Sequence, residues 1–336
     1  MMRLPPFRHY RPRTVEEALA IMDGEGPEAA FLAGGTDLLP NMKRRQQTPR
    51  VLVGLSGIAE LRGVRGDSRT GLRLGPMTTL AELVRDPAVR AAWPAVARTA
   101  ELISTPPLRN MGTIGGNLLI DTRCNYYNQS YEWRRAIDFC MKKDGRVCWV
   151  APSSPRCWAV QSSDEVPLMC VLGATLRLLS PDGSERTVEA AELYADDGIA
   201  HLRKRPEELL VEIALPPVEG RRATYLKLRR RGSFDFPVLG VAAALQLEGE
   251  LVMSARIAIG GVGSAPRSSP EAEAFLRGRS LADEETIARA AELAARPARP
   301  LDNTDFHMSW RKKMTSVFVA RALRELRAGV AATALV

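Results

Sequence analysis

Two glycine-rich turns constrain this chain more than any other feature of its sequence. One is AGGTD at residues 33–37 and the other is GTIGGN at residues 112–117. Adjacent glycines can adopt positive φ angles and let the backbone approach a ligand closely. Successive backbone N–H groups at such turns, followed by a helix N-terminus, form a cradle for an anion. We therefore expect a diphosphate at these turns, with Thr36, Thr113 and Asn117 as further hydrogen-bond donors.

The two turns match neither of the common nucleotide-binding motifs. They lack the GxGxxG of dinucleotide-binding folds and the GxxxxGK[ST] of P-loop proteins. Two separate cradles in one chain suit a long ligand with a central diphosphate, such as FAD, better than a mononucleotide. The turns thus favour FAD held by a fold of another kind.

Length and patterning predict several domains. At about 100–200 residues per domain, a chain of 336 residues suggests two or three. The alternation of apolar strands and amphipathic helices predicts two lobes, at residues 1–57 and 58–218. A Pro-Pro linker at residues 216–220 then leads into a third unit at residues 219–330. A content of 45% hydrophobic and 26% charged residues excludes extensive disorder.

Composition also limits the compartment and the partners. No apolar segment near the N-terminus suggests an export signal, and no apolar run reaches the roughly 18 residues of a membrane span. We expect a soluble cytoplasmic protein whose five cysteines do not form disulfides. The arginine clusters behind the net charge of +8 are short, scattered and without a nucleic-acid-binding motif. We therefore expect no nucleic acid and no membrane, while an acidic protein partner is compatible with this charge.

Four of the five cysteines fall in one segment, residues 121–158. The same 38 residues hold seven of the chain's 19 aromatic side chains, and seven basic residues against four acidic ones. The four cysteines are Cys124, Cys140, Cys148 and Cys157. They are separated by steps of 16, 8 and 9 residues. Four thiolates in one loop-like segment can close around a tetrahedral site.

The chemistry of this segment leaves three possibilities open: an iron–sulfur cluster, a zinc ion, or buried thiols without a metal. No C-x-x-C pair occurs, which disfavours most structural zinc folds and also the ferredoxin motif. The aromatic side chains would limit solvent access and tune a redox centre, which favours a cluster. The fifth cysteine, Cys170, lies in an apolar run and is expected in the core.

Several motifs together resemble those of the FAD-binding subunits of the molybdenum hydroxylase (xanthine dehydrogenase) family. They are AGGTDL at residues 33–38, GPMTT at 75–79, RNMGTIGGN at 109–117, SD at 163–164, YLK at 225–227 and DFPV at 235–238. The resemblance covers essentially the whole chain. It implies an α+β fold: a two-lobed FAD-binding domain of the PCMH-like type, and a C-terminal α+β domain with a three-stranded sheet and helices.

The resemblance also implies which residues contact FAD. The backbone of the two turns would hold the diphosphate, and Asp164 and Lys227 would lie near the flavin. The implied FAD-binding residues are Ala33, Gly34, Gly35, Thr36, Asp37, Leu38, Thr78, Arg109, Asn110, Gly112, Thr113, Gly115, Gly116, Asn117, Ser163, Asp164 and Lys227. No side chain is expected to act as a general acid or base, and the isolated histidines His9, His201 and His307 are expected to be surface or structural residues.

The cysteine segment interrupts the family pattern. In most members the Gly-Gly-Asn turn leads soon to the Ser-Asp pair, whereas about 45 residues separate Asn117 from Ser163 in this chain. The insert, at about residues 119–160, is similar to that of the β subunits of 4-hydroxybenzoyl-CoA reductases. There the insert carries a [4Fe-4S] cluster, which implies such a cluster here. The implied metal ligands are Cys124, Cys140, Cys148 and Cys157.

The resemblance implies an electron-transfer subunit of an enzyme that reductively dehydroxylates 4-hydroxybenzoyl-CoA to benzoyl-CoA. Reduced ferredoxin would donate electrons, which would pass through the cluster and FAD to a [2Fe-2S] subunit and a molybdopterin-containing catalytic subunit. The complex would be a dimer of heterotrimers. One alternative is the FAD subunit of another molybdenum hydroxylase, which oxidises an aldehyde or a heterocycle. The other is a flavin-binding assembly subunit stabilised by zinc.

Overall fold

The computed structural model describes residues 3–329, which form three β-sheets with helices packed against them. The sheets have three, five and four strands. The α+β fold class expected from the sequence is confirmed. The domain boundaries expected after residues 57 and 218 lie between the sheets and stay a prediction. No helix within the described residues is long and apolar enough to cross a membrane.

The first sheet is small and parallel. Its unit comprises β1 (Arg8–Tyr10), α1 (Val15–Glu25), β2 (Ala29–Leu32), α2 (Leu38–Lys43) and β3 (Val51–Gly54), with 3₁₀ turns at Gly26–Glu28, Leu55–Gly57 and Ala59–Leu61. The strand order is β1-β3-β2. Helix α1 begins after Thr14, whose hydroxyl accepts a hydrogen bond from the Glu17 N–H at 3.1 Å. Because β2 is an edge strand that ends at Leu32, the first glycine-rich turn leaves the sheet at this edge.

The second sheet is antiparallel and has five strands. Its unit comprises β4 (Val64–Asp67), β5 (Gly71–Leu74), α3 (Leu80–Arg85), α4 (Pro87–Ala92), α5 (Pro94–Leu102), α6 (Pro106–Arg109), α7 (Ile114–Leu118), α8 (Tyr131–Ala136), α9 (Glu165–Leu172), β6 (Thr175–Leu179), β7 (Glu185–Glu189), α10 (Ala190–Leu193) and β8 (Leu209–Leu215). The strand order is β4-β5-β8-β6-β7. The apolar pattern over residues 89–103 predicts one helix, whereas the structure has α4 and α5. The break falls at Pro94, which has no N–H to continue the helix.

The third sheet and three helices form the C-terminal unit. Its elements are β9 (Arg221–Leu228), β10 (Leu239–Glu248), β11 (Leu251–Gly260), β12 (Arg267–Ser268), α11 (Pro270–Leu276), α12 (Glu284–Ala295) and α13 (Met308–Ala328). The sheet has four strands in the order β12-β11-β10-β9, not the expected three. The additional strand is two residues long and pairs with Ala258 and Ile259 at the open edge of β11. So short a pairing leaves no apolar pattern from which it could be predicted.

The insert at residues 119–160 has little regular structure beyond α8. It is held by hydrogen bonds to all three units. The Arg134 guanidinium donates to the Arg44 carbonyl at 2.8 Å, and the Asn125 N–H donates to the Asn303 carbonyl at 2.9 Å. The Thr122 hydroxyl donates to the carbonyl of Gly198 at 2.5 Å. The insert therefore lies at the junction of the three sheets.

Candidate functional site

A cavity of about 1080 Å³ lies where the three units meet. Such a volume is at the upper end of the range for ligand and cofactor sites. Both glycine-rich turns line it, and the C-terminal unit contributes Lys227, Phe234 and Phe236. The site predicted from the two turns is therefore one continuous space.

The first turn packs its backbone directly against the segment that precedes the second. A Cβ atom at Gly34 would overlap the carbonyl oxygen of Met111. Gly35 has φ +71°, a left-handed conformation that favours glycine. The adjacent glycines thus bring two chain segments together along the wall of the cavity.

Hydrogen bonds hold the second turn against the segment at residues 75–79. The Leu80 N–H donates to the Gly112 carbonyl at 2.9 Å, and the Ile114 N–H donates to the Thr78 carbonyl at 3.0 Å. The Thr113 hydroxyl accepts a hydrogen bond from the Gly116 N–H at 3.1 Å. Gly115 has no room for a side chain because a Cβ there would lie 2.6 Å from Pro76 Cβ. The turn is therefore fixed before any ligand binds.

The Ser-Asp pair returns to the second turn despite the long insert. The Ser163 hydroxyl donates to Asn117 Oδ1 at 2.6 Å. The next residue, Asp164, accepts hydrogen bonds from Lys227 Nζ at 2.9 Å and from the Tyr225 hydroxyl at 2.8 Å. Burial raises the pKa of Asp164, and the Lys227 ammonium counteracts this shift. A buried ion pair between α9 and β9 thus forms part of the cavity wall.

We expect Lys227→Met to lower the free energy of unfolding by about 3–5 kcal/mol, because it leaves the Asp164 carboxylate buried without its cation. Chemical denaturation of the purified chain measures this. The matched control is Arg73→Met, which breaks the exposed Arg73–Glu212 pair and should cost about 0–1 kcal/mol. Equal losses for both variants would contradict a structural role for the buried pair.

Most of the predicted FAD-binding residues line the cavity, but some do not. Those on its wall are Ala33, Gly34, Gly35, Thr36, Asp37, Leu38, Gly112, Thr113, Gly115, Gly116, Asn117, Asp164 and Lys227. Those away from it are Thr78, Arg109, Asn110 and Ser163. The Thr78 hydroxyl donates to the Gly63 carbonyl at 3.1 Å, and Arg109 donates to the Ile103 carbonyl at 3.0 Å. These two side chains hold the surrounding backbone, and their contact with FAD stays a prediction.

The cavity wall also contains polar residues that the sequence reasoning missed. His201 lies there with no partner on Nε2, and burial followed by the charge of Lys142 lowers its pKa. Lys204 donates to the carbonyls of Arg205 and Glu208, both at 2.6 Å, and burial lowers its pKa to about 8. Neither residue belongs to a local motif, so no signal in the sequence identifies them.

Arg123 connects the cavity to the cysteine segment. It is buried and forms an ion pair with Asp37 of the first turn. Its guanidinium carbon lies 4.4 Å from the centroid of the Phe236 ring, and burial lowers its pKa to about 10. Cys124 follows it directly in the chain. The first cysteine is therefore anchored to the wall of the large cavity.

The four cysteines of the insert line a second, small cavity. All four side chains are buried, and none forms a disulfide. The lining also includes Tyr127, Lys142 and Trp149. Burial raises the pKa of the Cys124 thiol to about 12 and that of the Cys157 thiol to about 11. Cys170 is partly buried against the core of the second unit, as expected. The structure thus brings together the four cysteines that the sequence groups.

The backbone around these cysteines is closely packed and locally strained. Asp138, Phe139 and Asp144 have φ angles of 59°, 60° and 68°, in the left-handed region that such residues seldom adopt. The Ala159 N–H donates to Cys157 Sγ at 3.4 Å. Hydrogen bonds to sulfur and exclusion of solvent are features that tune iron–sulfur centres. In this segment one of the four sulfurs, that of Cys157, accepts a backbone hydrogen bond in a buried setting.

The spacing of the thiols bears on which metal could bind. A single zinc ion with bonds of about 2.3 Å draws four sulfurs to within about 4 Å of one another. Within residues 3–329, no group of three or more His, Cys, Asp or Glu side chains is arranged to hold a metal ion. The space that the four thiols enclose is small, at about 10 Å³, which is roughly the space of one water molecule. Four buried thiols around one cavity are a donor set that an iron–sulfur cluster and a zinc ion both use. The choice between the two metals therefore rests on the sequence.

Several charged side chains of the insert face the interior of the protein. Arg123 pairs with Asp37, Lys142 with Asp121, and Arg156 with Asp196. The basic and acidic residues that remain accessible are Arg135, Lys143, Arg146, Glu132, Asp138 and Asp144. Their charges balance. The basic composition of the insert therefore does not create a basic docking surface.

Residues 5–218 match the FAD binding domain in molybdopterin dehydrogenase, and residues 223–326 match the CO dehydrogenase flavoprotein C-terminal domain. Together with the cavity between the three units, these matches define an FAD-binding oxidoreductase subunit. The chain belongs to the FAD-binding subunits of the molybdenum hydroxylase family, which includes xanthine dehydrogenase FAD subunits and CO dehydrogenase medium chains.

Individual relatives cover nearly the whole chain. The aldehyde oxidoreductase FAD-binding subunit PaoB of Escherichia coli K12 is 33% identical, over 86% of this chain and 92% of the relative. The carbon monoxide dehydrogenase medium chain of Afipia carboxidovorans is 30% identical, over 96% and 97%. A crystal structure of the Cu,Mo-CO dehydrogenase superposes with a TM-score of 0.80 at 29% identity, over 98% of this chain and 100% of that one.

Proposed function

We propose that this protein is the electron-transfer subunit of a molybdenum enzyme complex and carries both FAD and a [4Fe-4S] cluster. Two neighbouring cavities at the junction of the three units support this proposal. One is lined by both glycine-rich turns, and the other by Cys124, Cys140, Cys148 and Cys157. Asp121 lines the first cavity, Lys142 lines the second, and the two form an ion pair.

Bound FAD would supply one-electron and two-electron redox chemistry. The chain's own contribution is to hold and orient this group. Backbone N–H groups of residues 34–37 would bind its diphosphate, whereas those of residues 114–116 already donate hydrogen bonds within the protein. The Asp164–Lys227 pair would form a fixed polar wall, and Phe234 and Phe236 would shield the cavity from water.

The remaining cofactors of such a complex would be on other subunits. This chain has only Cys170 besides the cysteines of the insert, whereas a [2Fe-2S] cluster takes four cysteines. We therefore propose a [2Fe-2S] subunit and a molybdopterin-containing catalytic subunit as partners, assembled as a dimer of heterotrimers. Designations such as "medium chain" and "FAD-binding subunit" for the relatives are consistent with this composition. A location in the cytoplasm stays a prediction from the sequence.

Oxidation of an aldehyde is the reaction that the similarities favour. The relative at 33% identity is an aldehyde oxidoreductase subunit, and another relative belongs to a glyceraldehyde dehydrogenase. Electrons would then leave the complex through this subunit. The second candidate is reduction of 4-hydroxybenzoyl-CoA with ferredoxin as donor, which rests on the cysteine spacing of the insert. Because the accessible charges of the insert balance, a ferredoxin would dock through apolar contacts such as Trp133 and Trp149.

Steady-state assays of the purified complex distinguish these reactions. We expect turnover of aldehydes such as benzaldehyde with an artificial acceptor, and no reduction of 4-hydroxybenzoyl-CoA by reduced ferredoxin. The opposite result would replace aldehyde oxidation by dehydroxylation. Turnover of purines or other heterocycles alone would exclude both. Zinc without iron in this subunit would overturn the proposed cluster. The chain would then be a flavin-binding subunit with a structural metal site.

A further inference from the structure

The Lys142 ammonium is a buried cation with three hydrogen-bond acceptors. Its side chain is 6% exposed. It donates to Asp121 Oδ1 at 2.8 Å, to the Thr122 hydroxyl at 2.7 Å and to the Gly198 carbonyl at 2.6 Å. Its Nζ also lies 4.9 Å from the centroid of the Tyr127 ring. The positive charge is therefore held at one fixed position.

This fixed charge lies beside the cysteine cavity. Lys142 lines that cavity together with the four thiols. Gly198, which accepts from the ammonium, packs so closely on the cysteines that a Cβ there would lie 2.7 Å from Cys157 Sγ. The Gly198 N–H also donates to the Cys157 carbonyl at 3.0 Å. A single residue, Gly198, therefore lies between the Lys142 ammonium and the Cys157 sulfur.

The counterion of Lys142 lies toward the other cavity. Asp121 lines the large cavity and also accepts hydrogen bonds from the Tyr127 hydroxyl at 3.0 Å and from Gln47 Nε2 at 3.2 Å. The ion pair is therefore directional, with its cation toward the cysteines and its anion toward the glycine-rich turns. A charge in this low-dielectric position acts more strongly than one in water.

We propose that the Lys142 ammonium raises the reduction potential of the cysteine-bound cluster, because it stabilises the reduced and more negative form. This inference rests on the cluster of the proposed function. Burial, nearby charge and hydrogen bonds to sulfur are the means by which a protein sets such potentials. The Asp121 carboxylate opposes this effect. Removal of the Lys142 charge should therefore lower the reduction potential, and removal of the Asp121 charge should raise it.

Redox titration of the purified complex, followed by electron paramagnetic resonance, tests this proposal. We expect Lys142→Met to disfavour reduction of the cluster by roughly tenfold, a downward shift of about 59 mV for one electron. Asp121→Asn keeps an acceptor for the ammonium and should shift the potential upward. The matched control is Lys143→Met, which removes the neighbouring lysine, a 34% exposed side chain paired with Asp144, and should leave the potential unchanged.

The results distinguish failure of this inference from failure of the proposed function. Iron in every variant, with the wild-type potential in Lys142→Met, would overturn the inference and leave the cluster in place. A downward shift in Asp121→Asn would also overturn it, even if Lys142→Met fails to fold. Absence of iron from the wild-type subunit would overturn the proposed function itself. Iron and flavin counts on each variant accompany the titration.

Discussion

Replacing Cys148 by serine should remove nearly all iron from this subunit. Cys148 is buried and lines the small cavity with three other thiols, so its loss leaves an incomplete ligand set. Loss of a residue that only hydrogen-bonds to a metal ligand lowers metal affinity by roughly 10–100-fold. Loss of a ligand itself should lower the affinity further. Iron and sulfide analysis of the purified complex measures the effect. The broad absorbance of the cluster should disappear while the flavin bands remain.

A cysteine outside the insert provides the matched control. Cys170→Ala also removes a thiol, but this residue packs against the core of the second unit, away from the small cavity. We expect it to retain full iron content. Because the insert has little regular structure, the cluster should also stabilise its fold. Cys148→Ser should therefore become sensitive to proteolysis within residues 119–160. An unchanged iron content in this variant would remove Cys148 from the ligand set.

Replacing Gly34 by alanine should abolish most FAD binding. The added methyl group would overlap the carbonyl of Met111, so the two segments that line the cavity must separate. Overpacking of this kind costs about 1–3 kcal/mol, equivalent to roughly a 5–150-fold loss of FAD affinity if the strain falls on the bound state. Flavin absorbance of the purified protein and titration with FAD measure the loss.

A second glycine shows what the same change does without a steric conflict. Gly24 lies in α1, and a Cβ there would contact nothing within 4 Å. Gly24→Ala should keep its FAD and gain up to about 1 kcal/mol in stability, since alanine favours a helix over glycine. FAD binding by Gly34→Ala at wild-type affinity would contradict the close approach of the two turns.

The residues of the site that the sequence predicts are those that belong to short motifs. The two glycine-rich turns and the Ser-Asp pair are recognisable because close backbone approach requires glycine and because Ser163 and Asp164 are adjacent. The hydrogen bond from Ser163 to Asn117 confirms that the long insert leaves this junction intact. The gathering of the insert cysteines follows for the same reason, since all four lie in one short segment.

Residues that come from distant parts of the chain could not be predicted in this way. His201 and Lys204 reach the large cavity from the connection between α10 and β8, and Phe234 reaches it from the connection between β9 and β10. No local periodicity marks any of them. The Lys142–Asp121 pair depends on Gly198, which lies 56 residues beyond Lys142 in the chain. Composition even misleads in one respect, because three basic residues of the insert form ion pairs within the protein and the accessible charges that remain balance.

We expect this one chain to hold FAD and an iron–sulfur cluster in neighbouring cavities. An anaerobic ultraviolet–visible spectrum of the purified chain, with flavin, iron, sulfide and zinc counts, tests it most directly. We expect flavin bands above a broad shoulder near about 400 nm, with one flavin and about four irons and four sulfides per chain. Flavin with stoichiometric zinc, or with no metal at all, would contradict it.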